Sequence, residues 1–150
     1  KVMPILINKL PNIKFLIAGA TPNNDVKNLQ SDNIHVTGWL DDIRDAYNES
    51  KVFLAPLQIG TGLQNKLLEA MAMKLPCITS SLANNAIGAT HRKNILIGNT
   101  PNEYAELVME CLENNEKARI LAEEGKLHVT QNFNWPALSN ELGKILFTSP

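Results

Sequence analysis

Neither sign of charge is in excess in this sequence: 14 Lys and Arg stand against 15 Asp and Glu, and the one basic run is His91-Arg92-Lys93. Nucleic-acid binders neutralise phosphates with a basic face, so DNA and RNA are not expected as partners and the triplet reads as a solvated loop. Cysteine is scarce. Cys77 and Cys111 lie in apolar contexts without C-x-x-C spacing, which argues against a disulfide framework or a thiolate zinc site and fits a reducing, cytoplasmic setting. His35, His91 and His128 are far apart and form no H-E-x-x-H pattern, so no metal is expected. Long hydrophobic runs are missing as well. The longest, such as Phe15 to Ala20, have the length of core strands and fall far short of the roughly 18–20 residues that cross a bilayer. There is no G-x-S-x-G elbow, and Ser80 and Ser81 lack flanking glycines, which leaves no case for a serine nucleophile. No repeat, low-complexity tract or Gly/Ser linker breaks the chain. One domain over residues 1–150 is expected.

What is present is an alternation of short apolar runs and helical stretches. Lys14 to Ala18 stops at Gly19, Ile34 to Thr37 at Gly38, and Val52 to Ala55 at Pro56, while Cys77 to Thr79 runs into Ser80-Ser81 and Ile95 to Ile97 follows. Strands this continuously apolar are buried on both faces, as in parallel sheets covered by helices. Helices are expected over Ile43 to Glu49, Gly62 to Met73 and Pro101 to Leu112, the last with Thr100 as N-cap and Pro101 in its first turn. Two more follow, Glu116 to Val129 and Pro136 to Phe147, with Asn134 as N-cap of the second. The pattern predicts an α/β fold, a Rossmann-like doubly wound parallel sheet with helices on both faces and a helical C-terminal tail. Val2-Met3-Pro4-Ile5-Leu6-Ile7 reads as the tail of an element already under way. A preceding strand and the start of this helix are therefore expected to lie upstream, in a longer protein.

Open α/β sheets take ligands at the carboxyl ends of their strands. That directs attention to Gly19-Ala20-Thr21, to Gly38-Trp39-Leu40, to the stretch from Leu57 to Gln64, and to Ser80 to Asn85. Gly60-Thr61-Gly62 stands before a strongly apolar helix, so bare amides and the positive end of a helix dipole would favour an anion there. The alternative is a tight turn with no ligand. The spacing fits neither a P-loop nor G-x-G-x-x-G, since Asn65 holds the place of the third glycine. Glu69 lies on the same helix among Leu67, Leu68, Met71 and Met73. It reads either as an acceptor for paired hydroxyls, such as those of a ribose, or as an ion-pair partner of Lys66. Asp41-Asp42 looks like a carboxylate pair but opens a helix, where acids cap the dipole. Trp39 is open to two readings, stacking on a base or packing.

The run Leu67-Leu68-Glu69-Ala70-Met71-Ala72, followed by Lys74 to Ser80, closely resembles the donor-binding domain of GT-B glycosyltransferases of family 4, the "glycosyl transferases group 1" proteins. The likeness covers nearly the whole chain. Pro11 to Gly19 is similar to the family's P-x-x-x-L-x-I-x-G strand with Phe15 in place of the Leu, Ile34 to Leu40 to its I-x-x-x-G-x-L segment, and Asn132 to Trp135 to its C-terminal F-x-W. The resemblance implies that Glu69 holds the ribose and that Gly60, Gly62, Leu63, Gln64 and Asn65 form the loop and helix start cradling the donor diphosphate. Lys66 would add positive charge, Thr37, Gly38, Trp39 and Leu40 would lie beside the base, and Gly19 would end a strand near the donor. Thr61 stands where the family usually has a Glu that touches the transferred sugar, and Gln64 where a second glycine is common. Glu69, Thr61 and Lys66 are the residues expected nearest the chemistry.

The activity implied is transfer of a hexose from a UDP- or GDP-linked donor with retention, with no metal or other cofactor. The partners implied are the nucleotide sugar, an N-terminal acceptor domain of the same protein, and a sugar or lipid-linked acceptor in polysaccharide biosynthesis. This location is cytoplasmic, with peripheral attachment of the full-length enzyme to the inner membrane face compatible with it. The Thr61 departure keeps open a non-catalytic GT-B module that binds a nucleotide or partner, and a GT-B-fold sugar-nucleotide epimerase is a further alternative.

Overall fold

A computed structural model describes residues 1–59, 62–134 and 139. The elements run α1 (Val2–Lys9), β1 (Phe15–Ala18), α2 (Asn24–Lys27), β2 (Ile34–Gly38), α3 (Ile43–Glu49), β3 (Phe53–Ala55) and α4 (Asn65–Ala72). They continue with β4 (Cys77–Thr79), α5 (Ser81–Ile87), β5 (Leu96–Ile97), α6 (Pro101–Glu113) and α7 (Asn115–Asn132). The α/β class expected from the alternation is what forms, and every strand pairing is parallel. The strands are hydrogen-bonded in two ladders, β1-β2 and β3-β4-β5. Among the described residues no ladder joins β1 to β3, and a cavity of about 690 Å³ borders both strands.

The strands divide two apolar clusters. Adjacent residues of a strand face opposite ways, and β4 shows the consequence. Ile78 packs with Leu6 of α1 and Tyr104, Ala105 and Val108 of α6, while Cys77 packs with Tyr47 of α3, Leu67 and Met71 of α4 and Ile87 of α5. Helices therefore cover both faces. α7 closes against α4, with Gly125 at the crossing: a Cβ there would lie 3.0 Å from the Asn94 carbonyl oxygen and 3.6 Å from the Met71 methyl. Buried polar groups are bonded. Thr79 is fully buried, and its hydroxyl donates to the Ala55 carbonyl at 2.9 Å, tying β4 to β3.

Some boundaries differ from the sequence reading for local reasons. The helix expected from Gly62 starts at Asn65, because Gly62 has φ +92° and Gln64 has φ −95° and ψ 87°, neither helical. The run Val2 to Ile7 is a helix from Val2 to Lys9, with Pro4 tolerated in its first turn. Thr100 and Glu103 cap α6 reciprocally, as its N-cap pattern suggests. The basic triplet is a built turn rather than a loose one. Arg92, at φ +63°, pairs with Glu110 at 2.7 Å, and the His91 ring accepts from the Ile97 amide at 2.8 Å. His128 contacts the Ile87 carbonyl at 3.0 Å. Cys77 and Cys111 are free and buried, and burial pushes the Cys111 thiol up to about 11. The expected helix Pro136 to Phe147, with Trp135 before it, lies outside the described residues, as do Gly60 and Thr61. No helix among the described residues is long and apolar enough to cross a membrane.

Candidate functional site

α4 is amphipathic. Leu67, Ala70 and Met71 are buried, whereas Asn65, Lys66 and Glu69 are exposed on the other side. Like α1, it begins without a side-chain cap, whereas the other helices are capped. Asn23, Asp42, Ser80, Thr100 and Asn114 each accept a hydrogen bond from the first turn of α2, α3, α5, α6 and α7. Gln64, the N-cap of α4, makes no such bond, and the first turn carries no acid. Leu67 and Leu68 amides donate to the Gln64 carbonyl at 2.9 and 3.2 Å, while the Gln64 side chain donates back to the Gly62 carbonyl at 3.3 Å. Among the described residues, no acid in the first turn and no cap side chain covers the amides of Asn65 and Lys66 at the helix start, which is the arrangement that accepts an anion. Among the described residues, nothing lies within 4 Å of a Cβ built on Gly62. Leu63 is exposed beside it.

Glu69 is held from a direction the sequence reading did not anticipate. It is exposed, not set against buried apolar surface, and no ion pair joins it to Lys66 among the described residues. The Tyr47 hydroxyl instead donates to Glu69 Oε2 at 3.1 Å and lies 3.4 Å from the Lys66 carbonyl. Tyr47 is 6% exposed, and its ring meets Phe53 edge to face with centroids 5.9 Å apart. Burial first, and the Glu69 carboxylate second, push the Tyr47 phenol far up, so it stays protonated and remains a donor. Tyr47 is the site residue that sequence reasoning missed. Its signal is the helical spacing from Ile43, which places an aromatic hydroxyl on the inward face of α3, where it needs a partner.

A second group lies where β1 and β2 end. The Gly19 amide donates to the Gly38 carbonyl at 3.1 Å, and the Thr37 hydroxyl donates to the same carbonyl at 3.0 Å. Gly38 has φ +72°, a conformation side chains resist, and the register slips between Ile17 and Ala18 so that Ala18 faces Gly38. The turn projects Trp39, which is 73% exposed, so core packing does not account for it. Leu40 is half-buried. Asp42 does cap its helix: its Oδ1 accepts from the Arg44 amide at 2.9 Å, and the Arg44 guanidinium grips the same carboxylate, holding it below the usual range. The Ser80 loop is similarly closed, with Ser81 and Asn99 bonded to each other. Among the described residues at these strand ends, the start of α4 is the one left without side-chain closure. The structure thus groups Gly19, Thr37 and Gly38 by direct bonds, and Lys66 and Glu69 through Tyr47; no hydrogen bond joins the two groups among the described residues.

The family described as Glycosyl transferases group 1 matches residues 1–114. Spore coat protein SA of Bacillus subtilis is 28% identical over 159 residues, covering 95% of this chain and 42% of that protein. The chain thus spans less than half the length of this relative. HepE of Anabaena, in complex with UDP and glucose, superposes with a TM-score of 0.83 at 15% identity over 99% of this chain and 44% of its own. The C-terminal domain of a group 1 family glycosyl transferase, LpcC of Francisella tularensis, gives 0.75 at 18% identity over 87% of this chain and 75% of its own. At these identities the two structures speak for the shared fold.

Proposed function

Because the chain belongs to the glycosyl transferases group 1 family, we propose that it is the donor-binding half of an enzyme that moves a sugar, a hexose on this reading, from a nucleoside diphosphate to an acceptor. The observation that carries the reading is the α4 start, left without a side-chain cap among the described residues, with Glu69 held by Tyr47 on the exposed side of the same helix. The amides of Gly62 to Asn65 and the Lys66 ammonium take the diphosphate, Glu69 accepts from the ribose hydroxyls, and the Gly19 and Thr37 to Leu40 turns flank the base. Gly60 and Thr61 precede these amides in the chain. The UDP and glucose held by HepE support a donor of this class, and UDP or GDP is the carrier to try first.

In this role the helix start does its chemistry on the leaving group. As the bond from the anomeric carbon to the diphosphate breaks, charge grows on the phosphate oxygen, and preorganised amides with Lys66 stabilise it more in the transition state than in the ground state. No metal or other cofactor is needed for that contribution, and the outcome proposed is retention. The acceptor, a sugar or a lipid-linked one, would be held mainly by an N-terminal domain of the same protein, so residues 1–150 alone should not turn over. The two free cysteines agree with work in a reducing cytoplasm, including at the inner membrane face.

Isothermal titration of the full-length protein with UDP and GDP tests the reading. Micromolar binding of one of them is expected, and no binding of any nucleoside diphosphate would sink it. Turnover by residues 1–150 alone would overturn the division of labour. Tyr47→Phe gives a finer check, since it keeps the ring against Phe53 and removes the donor to Glu69. A hydrogen bond to a charged partner supports a loss of about 10-fold in nucleotide affinity. The 2′,3′-dideoxy nucleotide, which offers Glu69 nothing to hold, should bind wild type and variant alike; equal losses for both nucleotides would mean that Tyr47 acts only through packing.

A further inference from the structure

A cleft of about 270 Å³ lies between the turn before β5, the second half of α6 and the first half of α7. Because β3, β4 and β5 run parallel, the turn entering β5 lies at the end of the sheet away from the loop that leaves β3 for α4. The cleft is therefore remote from the α4 start and shares no residue with it. Its floor is apolar. Leu96, Cys111 and Leu121 are buried there, and Ile120, half exposed, carries the apolar lining toward solvent. Burial keeps the Cys111 thiol protonated, so the floor adds no charge.

The walls are charged, and unevenly. Arg92 and Glu110 pair at 2.7 Å and offset each other, whereas Lys93 and Lys117 enter no ion pair among the described residues. Two ammonium groups thus border an apolar floor. The neighbouring hollow shares Glu110 and Lys117 but adds Glu106 and Glu113 against Lys9 alone, which repels an anion and confines one to the Lys93 side. The turn that carries Lys93 is also fixed. Arg92 holds φ +63°, a conformation that side chains resist, with its amide donating to the Ile95 carbonyl at 2.8 Å. On either side the His91 ring accepts from the Ile97 amide, and the Asn94 side chain accepts from the Thr90 amide at 2.7 Å. Strained backbone that its surroundings over-determine in this way recurs at ligand clamps.

Charge and size together select a ligand class. Two uncompensated cations match a phosphate monoester, which carries close to two negative charges at neutral pH; a carboxylate would leave one ammonium unmatched. A volume just below the usual range for small-molecule sites, about 300–1,000 Å³, admits a body no larger than one ring or a short chain. We propose that this cleft is a second binding site, independent of the α4 start, for a small apolar phosphate monoester. The phosphate sits between Lys93 and Lys117, and the apolar body packs on Leu96 and Leu121.

Phenyl phosphate is the probe, titrated calorimetrically into the full-length protein with and without saturating UDP. Sub-millimolar binding is expected, about 10-fold or more tighter than inorganic phosphate or phenol and unaffected by UDP. Lys93→Gln and Lys117→Gln, both at exposed positions, should each weaken it about 10-fold, the equivalent of one charged hydrogen bond, while leaving UDP binding as it was. Equal affinity for inorganic phosphate would reduce the cleft to surface charge and overturn the proposal. So would displacement of phenyl phosphate by UDP, which would put it at the α4 start, or undiminished binding by both variants. Binding to vesicles of phosphatidylcholine and phosphatidic acid without binding of phenyl phosphate would also overturn it, in favour of a membrane surface.

Discussion

Replacing Glu69 by Ala in the full-length protein is expected to weaken nucleoside diphosphate binding about 100-fold, the equivalent of two hydrogen bonds to a carboxylate at roughly 1.5 kcal/mol each. The effect should be specific to the ribose: a 2′,3′-dideoxy nucleotide should bind wild type and Glu69→Ala within about threefold. Stability should hardly change, because Glu69 is on the exposed side of α4 and its one recorded partner, Tyr47, keeps the Lys66 carbonyl within 3.4 Å. Glu69→Gln separates charge from shape. It keeps one acceptor oxygen and should recover part of the affinity. Undiminished binding by Glu69→Ala would remove Glu69 from the site.

Met71→Ala probes the opposite face of the same helix and should give the inverse result. Met71 is fully buried in the cluster beneath α4, with its methyl close against Gly125 of α7. Truncating a buried Met leaves a cavity that close neighbours only partly fill, at about 2–4 kcal/mol. In native-state hydrogen exchange this appears as amides of α4 and α7 exchanging roughly 30- to 1,000-fold faster, a readout that does not require the whole protein to unfold in two states. Nucleotide affinity should fall far less than in Glu69→Ala, since the amides at the helix start remain. If Met71→Ala left exchange unchanged, α4 would be anchored by something other than its packing on α7. The pair of variants separates what α4 does for the fold from what it does for a ligand.

Much of this was legible in the residues. Phe15-Leu16-Ile17-Ala18 and Cys77-Ile78-Thr79 declare parallel strands by the absence of alternation, though only the second is fully buried, and Thr100 with Glu103 declares a helix start by the spacing of a capping box. Asp42 reads as a cap for the same reason, and the structure agrees. Local chemistry suffices there because each signal is contained within about one turn of chain. The start of α4 was less legible. Two glycines suggest a helix beginning at Gly62, whereas the positive φ of Gly62 delays it to Asn65, a choice made by the path of the loop.

By itself the sequence determined the α/β class, the order of its strands along the chain, and the candidate residues, because periodicity and glycine placement are local and the group 1 motif is contiguous. It could not determine the neighbours of Glu69. Lys66, at helical spacing, was the sequence-local partner; the hydroxyl that holds the carboxylate comes from Tyr47, 22 residues earlier, brought there by packing of α3 against α4. Nor could it show that, among the described residues, the helix after β3 starts without a side-chain cap while those after the other strands are capped. The gap between β1 and β3 likewise belongs to tertiary structure. A strand's sequence records that it is buried, but which edges are paired is decided by the other strands, and those meet only once the chain has folded.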